Sequence, residues 1–343
     1  MIDTYQEKSV LIDNDKRVEY IDIFRAIGII LMIMGHVGFG DRFDYFIHAF
    51  HMPMFFIISG LFYKNNIETK QFIKKKAKTL LIPYLSFGLF FYLIWTIINW
   101  KNKSLSPLVS LFSVNTDGLP IAGALWFLTA LFFTEIIYFF VDKIKNKVTK
   151  NLMIICIALF GNFAIRILPF RLPFALDAAF VGVGLFHIGF LVNKYRDKGF
   201  INKMLNINWI HLICLVIPIN IVLIFINQYI NMRCGLYGIM FLFWINAVAS
   251  TIIGINVSKI MEKLFNNKVK RYLCGIGLNS IIYLCFNQIV LLFLMKLGMI
   301  FGQMNSLEKI ILHISVFLAS MIILWIISII IKKTKLKIFI GRF

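Results

Sequence analysis

The chain has 343 residues, 60% of them hydrophobic and only 15% charged. A soluble globular domain averages about 45–50% apolar and about 25% charged residues, so this composition excludes a soluble enzyme and a disordered chain. The formal net charge of +20 would point to nucleic acid in a soluble protein. In a chain this apolar it reads instead as lysines gathered on loops at one membrane face, with no nucleic-acid partner.

Apolar runs long enough to cross about 30 Å of hydrocarbon predict an all-α, polytopic membrane bundle of ten helices. The spans cover 20–37, 45–63, 79–100, 120–141, 151–168, 173–193, 208–226, 234–257, 272–299 and 307–331. A charged leader (1–19) precedes this membrane domain (20–331), and a basic tail (332–343) follows it. No small-residue cleavage site follows the first run, so a removable signal peptide is not expected. The five cysteines form no CxxC pair, which argues against a zinc site or a disulfide framework. Lysine and arginine counts alternate between high and low in successive loops, 27 on one face and 8 on the other when Arg166, Lys296 and Lys309 at span ends are counted with the loops they adjoin, and Arg25 lies inside the first span. The positive-inside rule then places both termini in the cytoplasm.

The first span carries Asp22, Arg25 and His36. Ionisable groups inside a span are expensive and are functional candidates by default. Arg25 and His36 are eleven residues apart, about three turns, so they share one helical stripe about 16 Å long. Asp22 is one turn before Arg25 and can pair with it. The bland alternative is an interfacial ion pair with His36 capping the helix near Gly38.

The second span contains His48, His51, Pro53, Ser59 and Gly60. Pro53 is expected to open the helix near its outer end, and Ser59-Gly60 to permit close helix approach. The loop from Lys64 to Lys78 carries six lysines interleaved with Ile67, Phe72, Ile73 and Ala77. It reads as an amphipathic helix on the inner face, either held to lipid headgroups or docking a polyanionic ligand. Segment 101–119 has room for a short interfacial or re-entrant piece. Farther along come Glu135, Arg166, Asp177 and His187; Arg166 and Asp177, across a short loop, are placed either to form a structural ion pair or to serve as functional polar groups. Asn246, Asn279, Ser280, Asn287 and Gln288 are polar groups suited to helix–helix hydrogen bonds.

The segment Tyr20-Ile-Asp-Ile-Phe-Arg25, ten residues and then His36 resembles the first-helix motif of the membrane acyltransferase-3 family, which includes bacterial sugar and polysaccharide O-acetyltransferases. Phe50-His-Met-Pro-Met-Phe-Phe-Ile-Ile-Ser-Gly60, Leu81-Ile-Pro-Tyr84 and Leu125-Trp126-Phe-Leu128 are similar to further motifs of that family. The specific motifs lie within 20–128; beyond that the likeness is mainly in topology. The family's Arg-x-x-Arg pair before the third helix is replaced by Lys76-Ala-Lys78-Thr79, and lysine lacks arginine's bidentate fork. Where many members have a histidine in the penultimate span, this chain has Phe286-Asn287. An H-x4-D match at His36–Asp41 stands alone and carries no weight.

The resemblance implies a multi-pass protein of a bacterial-type cell membrane, with membrane lipid around it. It implies no bound cofactor, an acetyl-CoA or other acyl-CoA donor, and a glycan or lipid-linked sugar as acceptor. Either a second copy of the chain or a separate glycan-assembly protein is the expected protein partner. His36, Arg25, His51 and Glu135 become catalytic candidates, Glu135 as a group orienting a histidine. Lys74, Lys75, Lys76 and Lys78, with Arg25, become the donor-binding set. Asp22, Ser59, Trp126, Arg166 and Asp177 are supporting or acceptor-side residues. The rival reading is an exporter of a polysaccharide or its precursor; repeated halves with broken helices would favour it.

Overall fold

A computed structural model describes residues 18–298 and 305–341. Most of the leader (1–17), residues 299–304 and the last two residues of the basic tail lie outside the described residues. The helices are α1 (Glu19–Val37), α2 (Asp41–His48), α3 (His51–Leu61), α4 (Thr69–Ile98) and α5 (Ser106–Leu111). Next come α6 (Trp126–Asp142), α7 (Lys147–Ile167), α8 (Leu176–Lys194), α9 (Gly199–Leu205) and α10 (Trp209–Ile226). The last are α11 (Met240–Leu264), α12 (Asn267–Leu278), α13 (Ser280–Gly298) and α14 (Ser306–Lys333).

Nine helical segments among the described residues are long and apolar enough to cross a membrane. The predicted second span is absent from that set because it is broken at Ala49–Phe50, leaving α2 and α3 end to end. Pro53 accordingly sits in the first turn of α3, where its missing N–H has no partner to lose. The pair still covers the length of α1. His48 and His51 share a cavity with His36 at one end, and the Phe62 ring lies 5.1 Å from the Arg25 guanidinium at the other.

The amphipathic helix expected before the third span does not stand apart from it. It runs on through a π turn at Ala77–Leu81 into the span as one 30-residue helix. Phe72 is buried, stacked on Phe139 of α6 at 4.3 Å. The predicted ninth span is also divided, at Asn279, into α12 and α13. The short piece expected within 101–119 is α5.

α1 runs through the centre, packed by α3, α11, α12 and α13. Ten of its nineteen residues are buried, Asp22 among them. Its last turn is closed by Gly38 in the left-handed region (φ 87°), whose N–H donates to Met34 O; only glycine adopts that conformation without strain. This stop leaves His36 within the final turn, facing the loops beyond. The outer faces of α4, α7, α10 and α14 are rich in exposed apolar side chains such as Ile97, Ile155, Val222 and Ile322. A continuous apolar belt of this kind is the lipid-facing surface of a polytopic bundle.

α3 and α8 cross closely. A methyl on Gly60 would stand 1.9 Å from Phe186 O, and one on Gly189 would stand 2.0 Å from Ile57 O. Two glycines therefore face each other's helix backbones, the small-residue packing that close association in lipid requires. The structure thus bears out the close approach expected at Gly60 and gives its partner.

Candidate functional site

At the Gly38 end of α1, side chains from several elements line a cavity of about 90 Å³. α1 contributes Met32 and His36. α2 and α3 contribute His48, His51 and Met52. Gly123 and Ala124 come from the 3-10 turn that leads into α6, Trp126 from its first residue, and Asn231 and Arg233 from the loop between α10 and α11.

The two histidines beside the break are held by backbone. His51 is buried, and its Nδ1 donates to Ile47 O at 2.9 Å. A carbonyl can only accept, so neutral His51 carries its proton on Nδ1 and leaves the Nε2 lone pair free. His48 Nδ1 lies 2.9 Å from Asp44 O and 3.0 Å from Asp44 Oδ1. The two rings meet edge to face at 5.0 Å. Asp44 also accepts from the Tyr229 hydroxyl at 2.9 Å. Burial and this bond push the Tyr229 phenol up to about 12, so it stays protonated and donating. His36 is exposed, and among the described residues its imidazole has no hydrogen-bond partner.

The α10–α11 loop covers this end. Tyr45 of α2 donates to Asn227 O, and Asn227 Oδ1 accepts from the N–H groups of Gln228 and Ile239 at 2.9 and 2.7 Å. Asn231 and Leu236 form an antiparallel bridge. Arg233 Nε donates to Thr116 O. Beside Arg233, Gly123 N–H donates to Gln288 Oε1 at 2.6 Å. A methyl at Gly123 would stand 3.0 Å from Arg233 Nη1 and 3.2 Å from Gln288 Oε1, so the bare glycine is what admits both groups. Ile121, two residues earlier, sits at φ 66°, a strained conformation for a β-branched residue. Asn115 anchors this stretch, donating to Tyr84 Oη at 3.0 Å and to Thr129 Oγ1 at 2.9 Å.

Arg25 occupies the opposite end of α1. Its Nη1 donates to buried Asp22 at 3.3 Å, and its guanidinium packs over Phe62. The pair expected from i, i+3 spacing is therefore present. Glu135 does not orient a histidine: its carboxylate accepts from Lys76 at 2.8 Å. That also commits one of the four donor-set lysines to a buried carboxylate. Lys74 and Lys75 are exposed, and Lys78 is half-buried. The Ser59 hydroxyl donates back to Phe55 O at 2.9 Å, within its own helix, and Trp126 is a buried part of the cavity wall.

The Arg166–Asp177 ion pair that the sequence allowed is corrected. Asp177 is buried and pairs with Arg171, whose Nη2 and Nε lie 2.7 and 2.8 Å from Oδ2. Arg166 is exposed, beside Gln228 and Tyr229 on a separate pocket. Phe174 and Ala175, both at φ 55°, reverse the chain tightly enough to lay Arg171 back on the first turn of α8. Arg171 Nη2 also donates to Arg233 O at 2.8 Å, so the Asp177 pair braces the loop over the cavity.

Sequence reasoning missed Arg233 and Gly123 as wall residues, and it assigned Gln288 only a general helix-to-helix role. One signal was available for Arg233: it is the lone cation in a short loop on the cation-poor face. Gly123 had no such signal, because what it admits comes from elements more than a hundred residues away.

The family model described as an acyltransferase domain, acyltransferase 3, matches residues 18–331. That is nearly all of the chain, and the chain belongs to this family. No match was found among curated proteins or among solved structures.

Proposed function

Taking membership of the acyltransferase family as the premise, we propose that the chain is a membrane O-acyltransferase. It moves an acetyl or other short acyl group from acyl-CoA to a hydroxyl of a glycan or lipid-linked sugar at the cell membrane. The observation that carries this reading is the arrangement along α1. Arg25 lies at the lysine-rich end, and His36 opens into a cavity shared with His51 at the other.

In this reading Lys74, Lys75 and Lys78 attract the phosphates of the donor. Arg25 guides the pantetheine arm, and the thioester reaches the cavity about 16 Å farther along the helix. His36 takes the proton of the acceptor hydroxyl as it attacks, a contribution worth about 10²–10⁴-fold. His51, with Nε2 bare, is the neighbouring base and supports the acceptor side. The close-packed wall around Trp126 keeps water from the thioester.

The test is incubation of membranes containing the protein with labelled acetyl-CoA, followed by extraction of glycans. Label should enter the glycan fraction and be lost in His36→Ala at equal protein level. Undiminished label in that variant removes His36 from the mechanism, and absence of label with wild type removes acetyl-CoA as donor.

A further inference from the structure

We propose that Arg233 is a catalytic residue that binds the acyl carbonyl oxygen as it becomes an oxyanion. The inference rests on the acyl-transfer reading and adds to it the group that receives the negative charge.

Arg233 lines the same cavity as His36 and His51. It is the one arginine or lysine among the lining residues. Among the described residues no carboxylate pairs with it, and its terminal nitrogens make no hydrogen bond. No carboxylate is among the residues lining the cavity, and Asp44, which borders it through His48, is bonded to His48 and Tyr229. The cavity therefore holds a fixed positive charge with no fixed negative charge against it.

The guanidinium is held at one nitrogen, and the backbone that carries it is braced separately. Nε donates to Thr116 O, and the residue's own carbonyl accepts from Arg171, which is locked by buried Asp177. That leaves Nη1 and Nη2 as donors fixed before any ligand arrives. Donors held in place before the ligand arrives are what stabilise charge that exists only in the transition state.

In the step assigned here, the acceptor hydroxyl oxygen attacks the thioester carbonyl carbon. Its proton passes to histidine, and the C=O electron pair moves onto oxygen, against Arg233. When that pair returns, the C–S bond breaks, and the thiolate of CoA takes the proton from histidine. The products are the ester and free CoA, with neither oxidation nor reduction.

The experiment measures initial rates of label transfer from acetyl-CoA into glycans, in membranes carrying wild type, Arg233→Lys, Arg233→Gln or Arg233→Ala. Loss of an oxyanion donor is expected to lower kcat about 10²–10³-fold with the KM for acetyl-CoA little changed. Millimolar guanidinium ion should restore part of the rate to Arg233→Ala and none to His36→Ala. Gly123→Ala, which presses a methyl against Nη1 without altering charge, should lower kcat at unchanged protein level. A raised acceptor KM with normal kcat would make Arg233 a ground-state anion site and overturn the proposal, as would wild-type rates in Arg233→Gln. Absence of transfer in wild type would instead fell the acyl-transfer reading itself.

Discussion

Gly60→Ala tests whether the position of the cavity histidines depends on close helix packing far from them. The added methyl would lie 1.9 Å from Phe186 O, where real contacts stay beyond 3.0 Å. Backbone cannot rotate away as a side chain can, so α3 and α8 must separate by roughly 1 Å, an overpacking typically costing about 1–3 kcal/mol. His51 rides on the same rigid helix, nine residues away or about 13.5 Å. A misplacement of about 1 Å at a catalytic group can cost about 10²-fold in rate. Gly189→Ala opposes the same crossing from the other helix, at 2.0 Å from Ile57 O. One separation relieves both clashes, so the double variant should lose less stability than the two single losses added together. The assays are the thermal midpoint of the detergent-solubilised protein and the rate of label transfer in membranes. Wild-type midpoint and rate in Gly60→Ala would refute the reasoning, and strict additivity in the double variant would refute the shared crossing.

Two further predictions concern the lysine-rich end. Replacing Lys74, Lys75 and Lys78 with glutamine should raise the KM for acetyl-CoA at fixed ionic strength without lowering the protein level, whereas Lys76→Gln should lower the level, because it leaves Glu135 buried and unpaired; unchanged donor kinetics in the triple variant would leave those lysines as lipid anchors. Arg25→Lys should insert normally and lose most activity, since lysine keeps the charge and loses the planar fork, while Asp22→Asn should be milder. Full activity in Asp22→Asn/Arg25→Gln, measured by label transfer, would reduce the pair to a structural bridge.

The all-α membrane bundle was legible because lipid imposes a length on apolar runs, and nine of the ten expected spans return as helices long and apolar enough to cross. The Arg25–His36 stripe was legible because a helix has a fixed period. The break ahead of His51 was half legible: Pro53 marked the neighbourhood, yet a proline in a first turn follows a helix start rather than causing one. What stayed hidden was pairing between elements. Arg166 and Arg171 both stand close in sequence to Asp177, and only the left-handed turn at Phe174–Ala175 selects Arg171. Lys76 and Glu135 are 59 residues apart, and no local period joins them. Arg233 belongs to the cavity because its loop folds back over α2, a consequence of the Tyr45 and Tyr229 bonds.

The break between α2 and α3 also decides how the orientation of His51 is inherited. Its acceptor is the main-chain oxygen of residue 47, which every amino acid possesses, so the identity of Ile47 is free to drift as long as an apolar helical residue stands there. The number of residues between them is not free. One insertion or deletion between 47 and 51 would change how α3 leaves the break and carry Nδ1 off its carbonyl. A substitution scan of α2 would thus pass over the group that aims His51, and a single-residue indel scan would find it at once.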